Sequence, residues 1–240
     1  MRIQHNIMAM NSYRNYNNNT SALSKNLEKL SSGYKINRAG DDAAGLALSE
    51  KMRAQITGLD AAYKNTKDAT SLIKTAEGAL QEVQDMLNRM VYLAEESANG
   101  VYDNDVDRPA LQSEVDALQT EIERIADSAN FNGKKLFSST ANMASGSFIF
   151  QIGDTANTYD KLSMATILTA GADLRTLLKY ALAINISTVA GASEAIGILK
   201  SNVATSAINA ISDLRGKLGA TQNRLDHTLN NLSVMKENIQ

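Results

Sequence analysis

Apolar residues recur at alternating three- and four-residue spacings over four separate stretches, the pattern that lines one face of a helix packed against another. The clearest run is Ile73, Ala76, Leu80, Val83, Leu87, Met90 and Ala94. A second passes through Leu111, Val115, Leu118, Ile122, Ile125 and Ala129. A third passes through Ala204, Ala207, Ile211, Leu214, Leu218, Thr221, Leu225, Thr228, Leu232 and Met235. The fourth, Ala9, Tyr13, Tyr16, Thr20, Leu23, Leu27, Leu30 and Tyr34, is weaker because its first half is polar. Each stripe predicts a helix that needs a partner.

Breakers divide these stretches. Ser32-Gly33 and Gly40-Asp41-Asp42 end the first, and Asp41 or Asp42 is placed to cap the helix that follows. From Ala43 no strong breaker stands before Asn99-Gly100, only isolated Gly45, Gly58 and Gly78. A single helix over 43–98 would be about 80 Å long at ~1.5 Å per residue. A compact globule of this chain length is only about 45 Å across, so the spacing predicts a rod. Residues 100–105 read as a loop. Asp107-Arg108-Pro109 opens the next helix, with Asp107 as cap and Pro109 in the first turn, where its missing N–H costs little; this helix is expected to end near Asn130. Over 131–153 the turn signal Asn132-Gly133 and the β-formers of Lys135-Leu136-Phe137 and Ser147–Ile152 predict a small β-hairpin. Residues 154–200 keep no sustained period beyond a short helical stretch from Leu174 to Leu182. The predicted fold is mainly α: a long antiparallel, coiled-coil-like helical rod with a small β-hairpin.

Composition sharpens this picture. The 240 residues include one Pro, no Cys and no Trp, and only 5% are aromatic, so the core must be built from Leu, Ile, Val, Met and Ala along helices rather than around rings. Without Cys there is no disulfide framework, thiolate metal site or cysteine nucleophile. A net charge of -2 with cations dispersed among anions leaves no footprint for nucleic acid or anionic lipid. No apolar run is long enough for a membrane span, and Met1–Asn6 lacks the apolar stretch of a cleavable secretory signal, so export would follow another route.

Candidate chemistry is sparse. Asp103, Asp105 and Asp107 with Glu114 have the acid spacing of a calcium loop, but the position that must be Gly for the sharp turn is Arg108. His5 and His227 lie at opposite ends of the sequence with no ligand set around them. The Asp41-Asp42 pair reads as helix capping, and hydrolase, phosphate-loop and dinucleotide fingerprints are absent, so neither an enzyme nor a cofactor is expected. The first stripe is set in unusual company, with six Asn among residues 6–19. Asn is a poor helix former, so this segment is expected to order by packing on a partner during assembly.

At Leu30-Ser31-Ser32-Gly33 and Ile36-Asn37-Arg38-Ala39-Gly40-Asp41-Asp42-Ala43-Ala44-Gly45-Leu46-Ala47 the chain resembles the N-terminal signature of bacterial flagellins. Phe131-Asn132-Gly133-Lys134-Lys135-Leu136 is similar to the family's turn into a hairpin, and Leu218-Gly219-Ala220-Thr221-Gln222-Asn223-Arg224-Leu225-Asp226-His227-Thr228-Leu229-Asn230-Asn231-Leu232 to its third core signature. The resemblance covers about residues 1–153 and 185–240. It implies a structural, self-assembling subunit of the flagellar filament, exported unfolded through the flagellar type III apparatus to the extracellular flagellum. Residues 1–42 would be an inner-tube segment. Residues 43–240 would be a helical core rod, with the hairpin at about 131–153 and a short variable region at about 154–184. The hook–filament junction protein is similar at both ends, and a coiled-coil signalling module would also show heptads. The Leu218–Leu225 run and the Phe131-Asn132-Gly133 turn favour flagellin, and a signalling module would carry a membrane span or paired hairpin tip.

Two further expectations come from the resemblance. Family chains continue past the position of Gln240 into an inner-tube helix, so this sequence is expected to be a shortened one in which residues 1–42 lack their intramolecular partner. Family members are also ligands of Toll-like receptor 5, through positions that match Arg89, Leu93 and Glu121 here. Arg89 and Leu93 are four apart on one helical face, and both are expected off the stripe of Met90 and Ala94. Strong agonists carry a second Arg followed by Glu where this chain has Val91-Tyr92, which implies receptor binding with weaker signalling.

Overall fold

A computed structural model describes residues 6–137, 148–164, 178, 183–200 and 207–240 of the chain. The helices are α1 (Ile7–Ser32), α2 (Ala43–Ala98), α3 (Asp107–Ser128), α4 (Val189–Lys200) and α5 (Ala207–Ile239). The strands are β1 (Asn130–Phe131), β2 (Lys134–Lys135), β3 (Ile149–Gln151) and β4 (Lys161–Ser163), with one 3-10 turn at Thr158–Asp160. The helix expected from Leu174 to Leu182, and Ala204 of the third stripe, lie outside the described residues apart from Leu178. Contacts divide the chain into two compact units, residues 1–57 with 239–240 and residues 58–238. The sequence breakers at 40–42 mark where α2 starts, and the boundary between the units falls later, within α2.

In the first unit, Asn6 caps α1 by accepting from the Ala9 N–H (3.2 Å), and Gly33 closes it in the left-handed conformation, φ 74°. The link to α2 is a hydrogen-bonded joint. The Asn37 carboxamide donates to Ser32 Oγ (2.7 Å), Arg38 pairs with Glu28 (2.8 Å), and the Arg53 guanidinium lies 5.9 Å from the Tyr34 ring centre. Asp42, one of the two predicted caps, accepts from the Gly45 N–H (2.9 Å). Gly45 allows that close approach: a Cβ there would stand 2.5 Å from Asp42 Oδ2 and 2.9 Å from Ile36 Cδ1.

The second unit is organised on α2. Ile73, Ala76, Leu80, Val83, Leu87, Met90 and Ala94 are all 0% exposed, so the clearest stripe in the sequence is the core. Against it pack Val115, Ile122 and Ala126 of α3, Ala192, Ala195 and Leu199 of α4, and Ala207, Ile211, Leu214, Leu218 and Leu225 of α5. Directions follow from cross-helix pairs. Lys236 reaches Asp60 (2.6 Å), Arg215 reaches Gln84 (2.6 Å) and Lys200 reaches Glu95 (2.8 Å), so partner numbers fall along α2 as they rise along α4 and α5, and the packing is antiparallel. α3 is antiparallel too, with Arg89 bonded to Glu114 and Ser97 to Arg108. The segment 184–186 is strapped across this bundle. Ile184 and Ile186 are buried, the Gln119 amide donates to the Ile184 carbonyl, Gln112 accepts from the Ile186 N–H, and Ser97 Oγ donates to the Ile186 carbonyl.

Two local expectations are corrected. The predicted hairpin over 131–153 is divided between two ladders. Asn132 (φ 50°) and Gly133 (φ 76°) both take positive φ, the requirement of a two-residue hairpin turn, so pairing closes at once between 130–131 and 134–135. The later β-forming stretch pairs instead with β4, Ile149 opposite Ser163 and Gln151 opposite Lys161. Asp107 is the first residue of α3 rather than its cap. Its carboxylate accepts from the Asp103 N–H (3.0 Å), so it is spent on the loop, while Pro109 sits in the first turn as expected.

The turn between α2 and α3 is closed by Arg108, which is only 2% exposed. Its Nε donates to the Ser97 carbonyl (2.9 Å), one Nη to the Asn99 carbonyl (2.9 Å) and the other to Asn104 Oδ1. α2 has no basic residue in its own last turn, so this cation from the next helix satisfies carbonyls that the helix end leaves open. Truncating Leu87→Ala in the α2 stripe is expected to cost about 2–5 kcal/mol in urea unfolding. The exposed Leu48→Ala should shift it by no more than about 0.5 kcal/mol; equal effects would contradict this placement of the core.

Candidate functional site

The most unusual surface of the chain is α1. None of its residues is buried, yet Tyr13, Tyr16, Leu23, Leu27 and Leu30 keep the three- and four-residue alternation of a packing stripe, and Leu30 is 81% exposed. Isolated exposed apolar residues are ordinary, but a periodic row of them on one helix is the mark of an interaction face. The first turns of α2 add exposed Leu48 and Met52, four apart. The other side of α1 is polar. There the joint folds back to make a notch lined by Ser21, Ser24, Lys25, Asn37 and Asp41 among others.

The sequence-predicted site residues fall in the second unit. Arg89 is exposed and makes a two-pronged pair with Glu114 on α3, Nε to Oε1 at 2.7 Å and Nη2 to Oε2 at 3.1 Å, with its guanidinium 5.1 Å from the Tyr92 ring centre. Glu121 is paired on its own helix with Arg124, 2.6 Å away. Glu114 and Glu121 are two turns apart on α3, so α2 and α3 together present a row of paired charges. The hydrogen bond from Arg89 holds the Glu114 carboxyl below the usual carboxylate range, against the opposing effect of burial, and Arg124 does the same for Glu121.

Leu93 is not part of that surface. It is 0% exposed, which corrects the expectation that it lies off the stripe. Around it α2 buries Met90, Val91, Leu93, Ala94 and Ser97, a face wider than two residues per heptad, because α2 is covered by more than one neighbour at this level. The apolar pair Val91 and Leu93 flanking the heptad positions was the signal of that wider face.

Among the described residues, no group of His, Asp and Glu could hold a metal ion. In the loop with calcium-like spacing, the Asp103 and Asp107 carboxylates accept backbone N–H groups of the loop itself, from Asp105 (3.0 Å) and Asp103 (3.0 Å). His227 is exposed on α5, and among the described residues no helix is long and apolar enough to cross a membrane.

Among the described residues, an antiparallel helical bundle with two short strand pairs, beside a helix whose periodic apolar face is left exposed, has the build of a helical protein made to associate. Residues 3–142 match the family model described as the bacterial flagellin N-terminal helical region, and residues 202–240 that of the bacterial flagellin C-terminal helical region. The flagellin of Bacillus subtilis (strain 168) is 43% identical over 268 aligned residues, with all of this chain and 84% of that one covered. The flagellar filament 33 kDa core protein of Treponema phagedenis is 40% identical with the same coverage. The crystal structure of Bacillus cereus flagellin, 31% identical, covers 70% of this chain and 88% of its own, with a TM-score of 0.57. The chain belongs to the bacterial flagellin family, and it is a structural subunit of the flagellar filament. Relatives of this kind are structural proteins, in keeping with a non-enzymatic role.

The Arg89–Glu114 pair makes a titration prediction. Because the folded-state carboxyl is depressed, its stabilising effect is complete above the ordinary carboxylate pKa and is lost as pH falls through the lowered value. In an NMR titration Glu114 should titrate below a free glutamate, and Arg89→Ala should return it upward. An unmoved midpoint would mean that the pair is not formed in solution.

Proposed function

We propose that subunits of this flagellin join through the α1 stripe, with Tyr13, Tyr16, Leu23, Leu27 and Leu30 packing on other copies of the chain, so that residues 1–42 form an inner-tube segment and residues 43–240 the surrounding rod. The carrying observation is that a helix with a packing period buries nothing within its own chain. Each Leu removed from water contributes about 1.5–3 kcal/mol, so several per subunit, repeated along a polymer, supply enough for assembly. The Asn-rich first half of α1 fits the same reading, since a weak helix former gains most of its order from the partner it packs on.

This reading carries with it passage through the flagellar type III export apparatus and an extracellular location on the flagellum. Recognition by Toll-like receptor 5 belongs to the same proposal. The exposed Arg89 and the partly exposed Glu121 provide its polar contacts, and the buried Leu93 supports the α2 backbone that carries Arg89.

Leu27→Asp places a charge in the middle of the stripe without touching the second unit. The variant is expected to keep its thermal unfolding profile and to lose filaments in electron microscopy and sedimentation. Filaments as abundant as those of the unaltered chain would sink the assembly reading. For the receptor, Arg89→Ala should weaken binding in a surface-based affinity measurement, and an unchanged affinity removes that part alone.

A further inference from the structure

We propose that Asn99-Gly100 is a self-modification site, an asparagine that deamidates through a succinimide, with Arg108 placed to hold the isoaspartate carboxylate that results. The sequence has two Asn-Gly pairs, Asn99-Gly100 and Asn132-Gly133. Glycine after asparagine is the reactive case because no side chain shields its backbone nitrogen and its backbone turns freely. The structure treats the two pairs differently. Asn132 is fixed in the left-handed region with both flanks of its turn paired into the β1–β2 ladder. Asn99 lies just past the end of α2, exposed. Gly100 donates its N–H to none of the described residues, and a Cβ built at Gly100 meets nothing within 4 Å. The Val101 N–H donates to Asn99 Oδ1 (3.3 Å), which polarises the carboxamide carbon toward attack.

The chemistry needs only water. The Gly100 nitrogen gives its proton to solvent base and attacks Asn99 Cγ. The N–Cγ bond forms, the Cγ–Nδ2 bond breaks, and ammonia leaves carrying a proton. Water then opens the ring at one of its two carbonyls. Opening at Cγ gives aspartate. Opening at the backbone carbonyl gives isoaspartate: the chain now continues through Cγ, and the former backbone carbonyl carbon becomes a free carboxylate. The net change is amide plus water to acid plus ammonia, with no change of oxidation state.

The second outcome meets a prepared partner. The backbone oxygen of Asn99 is already 2.9 Å from an Arg108 Nη, and that guanidinium, 2% exposed, is held by neutral acceptors on Ser97, Asn99 and Asn104. A buried cation without an anion is costly, and a charge-assisted bond is stronger than a neutral one. Isoaspartate converts the neutral acceptor already in place into an anionic one. The turn joining α2 and α3 thereby gains a negative charge and one backbone methylene while its clamp is tightened.

The test is ageing of the purified chain in warm, mildly alkaline buffer, followed by peptide mapping with fragmentation that separates aspartate from isoaspartate. Ammonia loss at Asn99 should be several-fold faster than at Asn132, with isoaspartate in excess, and Gly100→Ala, for which there is room, should suppress it. Equal or slower loss at Asn99 overturns the site. Arg108→Lys should shift the product ratio toward aspartate. Independently of how that variant folds, the aged chain should melt no lower than Gly100→Ala aged alongside it. A lowered melting point or an unchanged product ratio overturns the role of Arg108.

Discussion

The rest of the second unit depends on one constraint, the uninterrupted burial of a single stripe along α2. A helix of 56 residues cannot fold back to cover itself, so every other element has to bring apolar residues to it at matching height. α3 does so at Val115 and Ile122, α5 from Ala207 to Leu232, and the segment at Ile184 and Ile186 by laying backbone across the bundle. The ion pairs between α2 and α5 trace the register but do not supply it. Lys236 and Asp60 are each more than a third exposed, and such pairs are worth little in water. Register is set by the spacing of buried leucines and isoleucines, for which a slip of one residue would put polar side chains into the seam.

α1 and α5 show what periodicity can and cannot say. Both carry the same alternation of threes and fours, so both were legible as helices with one face that needs covering. In α5, Ile211, Leu218 and Leu225 are fully buried, whereas in α1 nothing is. Period specifies that a face wants a partner and is silent about where that partner lies. Composition supplied the missing part: six Asn among residues 6–19 weaken the helix on its own, and Tyr13, Tyr16 and Tyr34 carry a polar tip that tolerates water until a partner arrives.

The departures from expectation have local causes of the same kind. Leu93 lies off the stripe of Met90 and Ala94, which leaves a residue exposed on a helix with one neighbour, but α2 has several at that level. β-forming stretches on both sides of the turn signal look like one hairpin in the sequence, but they belong to two ladders. Asn132 and Gly133 close so tightly that only two pairs form before the chain departs, and the later stretch finds β4 in a part of the sequence with no readable period. Pairing between strands is a non-local fact, and short apolar runs do not encode which partner they will meet.

Arg108 unites two of these threads. In the sequence it stands where a calcium-like loop requires glycine, and it belongs to the Asp107-Arg108-Pro109 opening of α3. Both features follow from its side chain turning inward. α2 ends with open carbonyls and no cation of its own, and the partial negative charge of that end can accommodate a guanidinium that has no carboxylate beside it. Placed there, Arg108 brings its own positive charge to Asn104 and binds the Ser97 and Asn99 carbonyls, so the cation that closes the turn is the protein's own. The direction of a long side chain is decided by the carbonyls it finds, and a one-dimensional spacing of acids could not have revealed them.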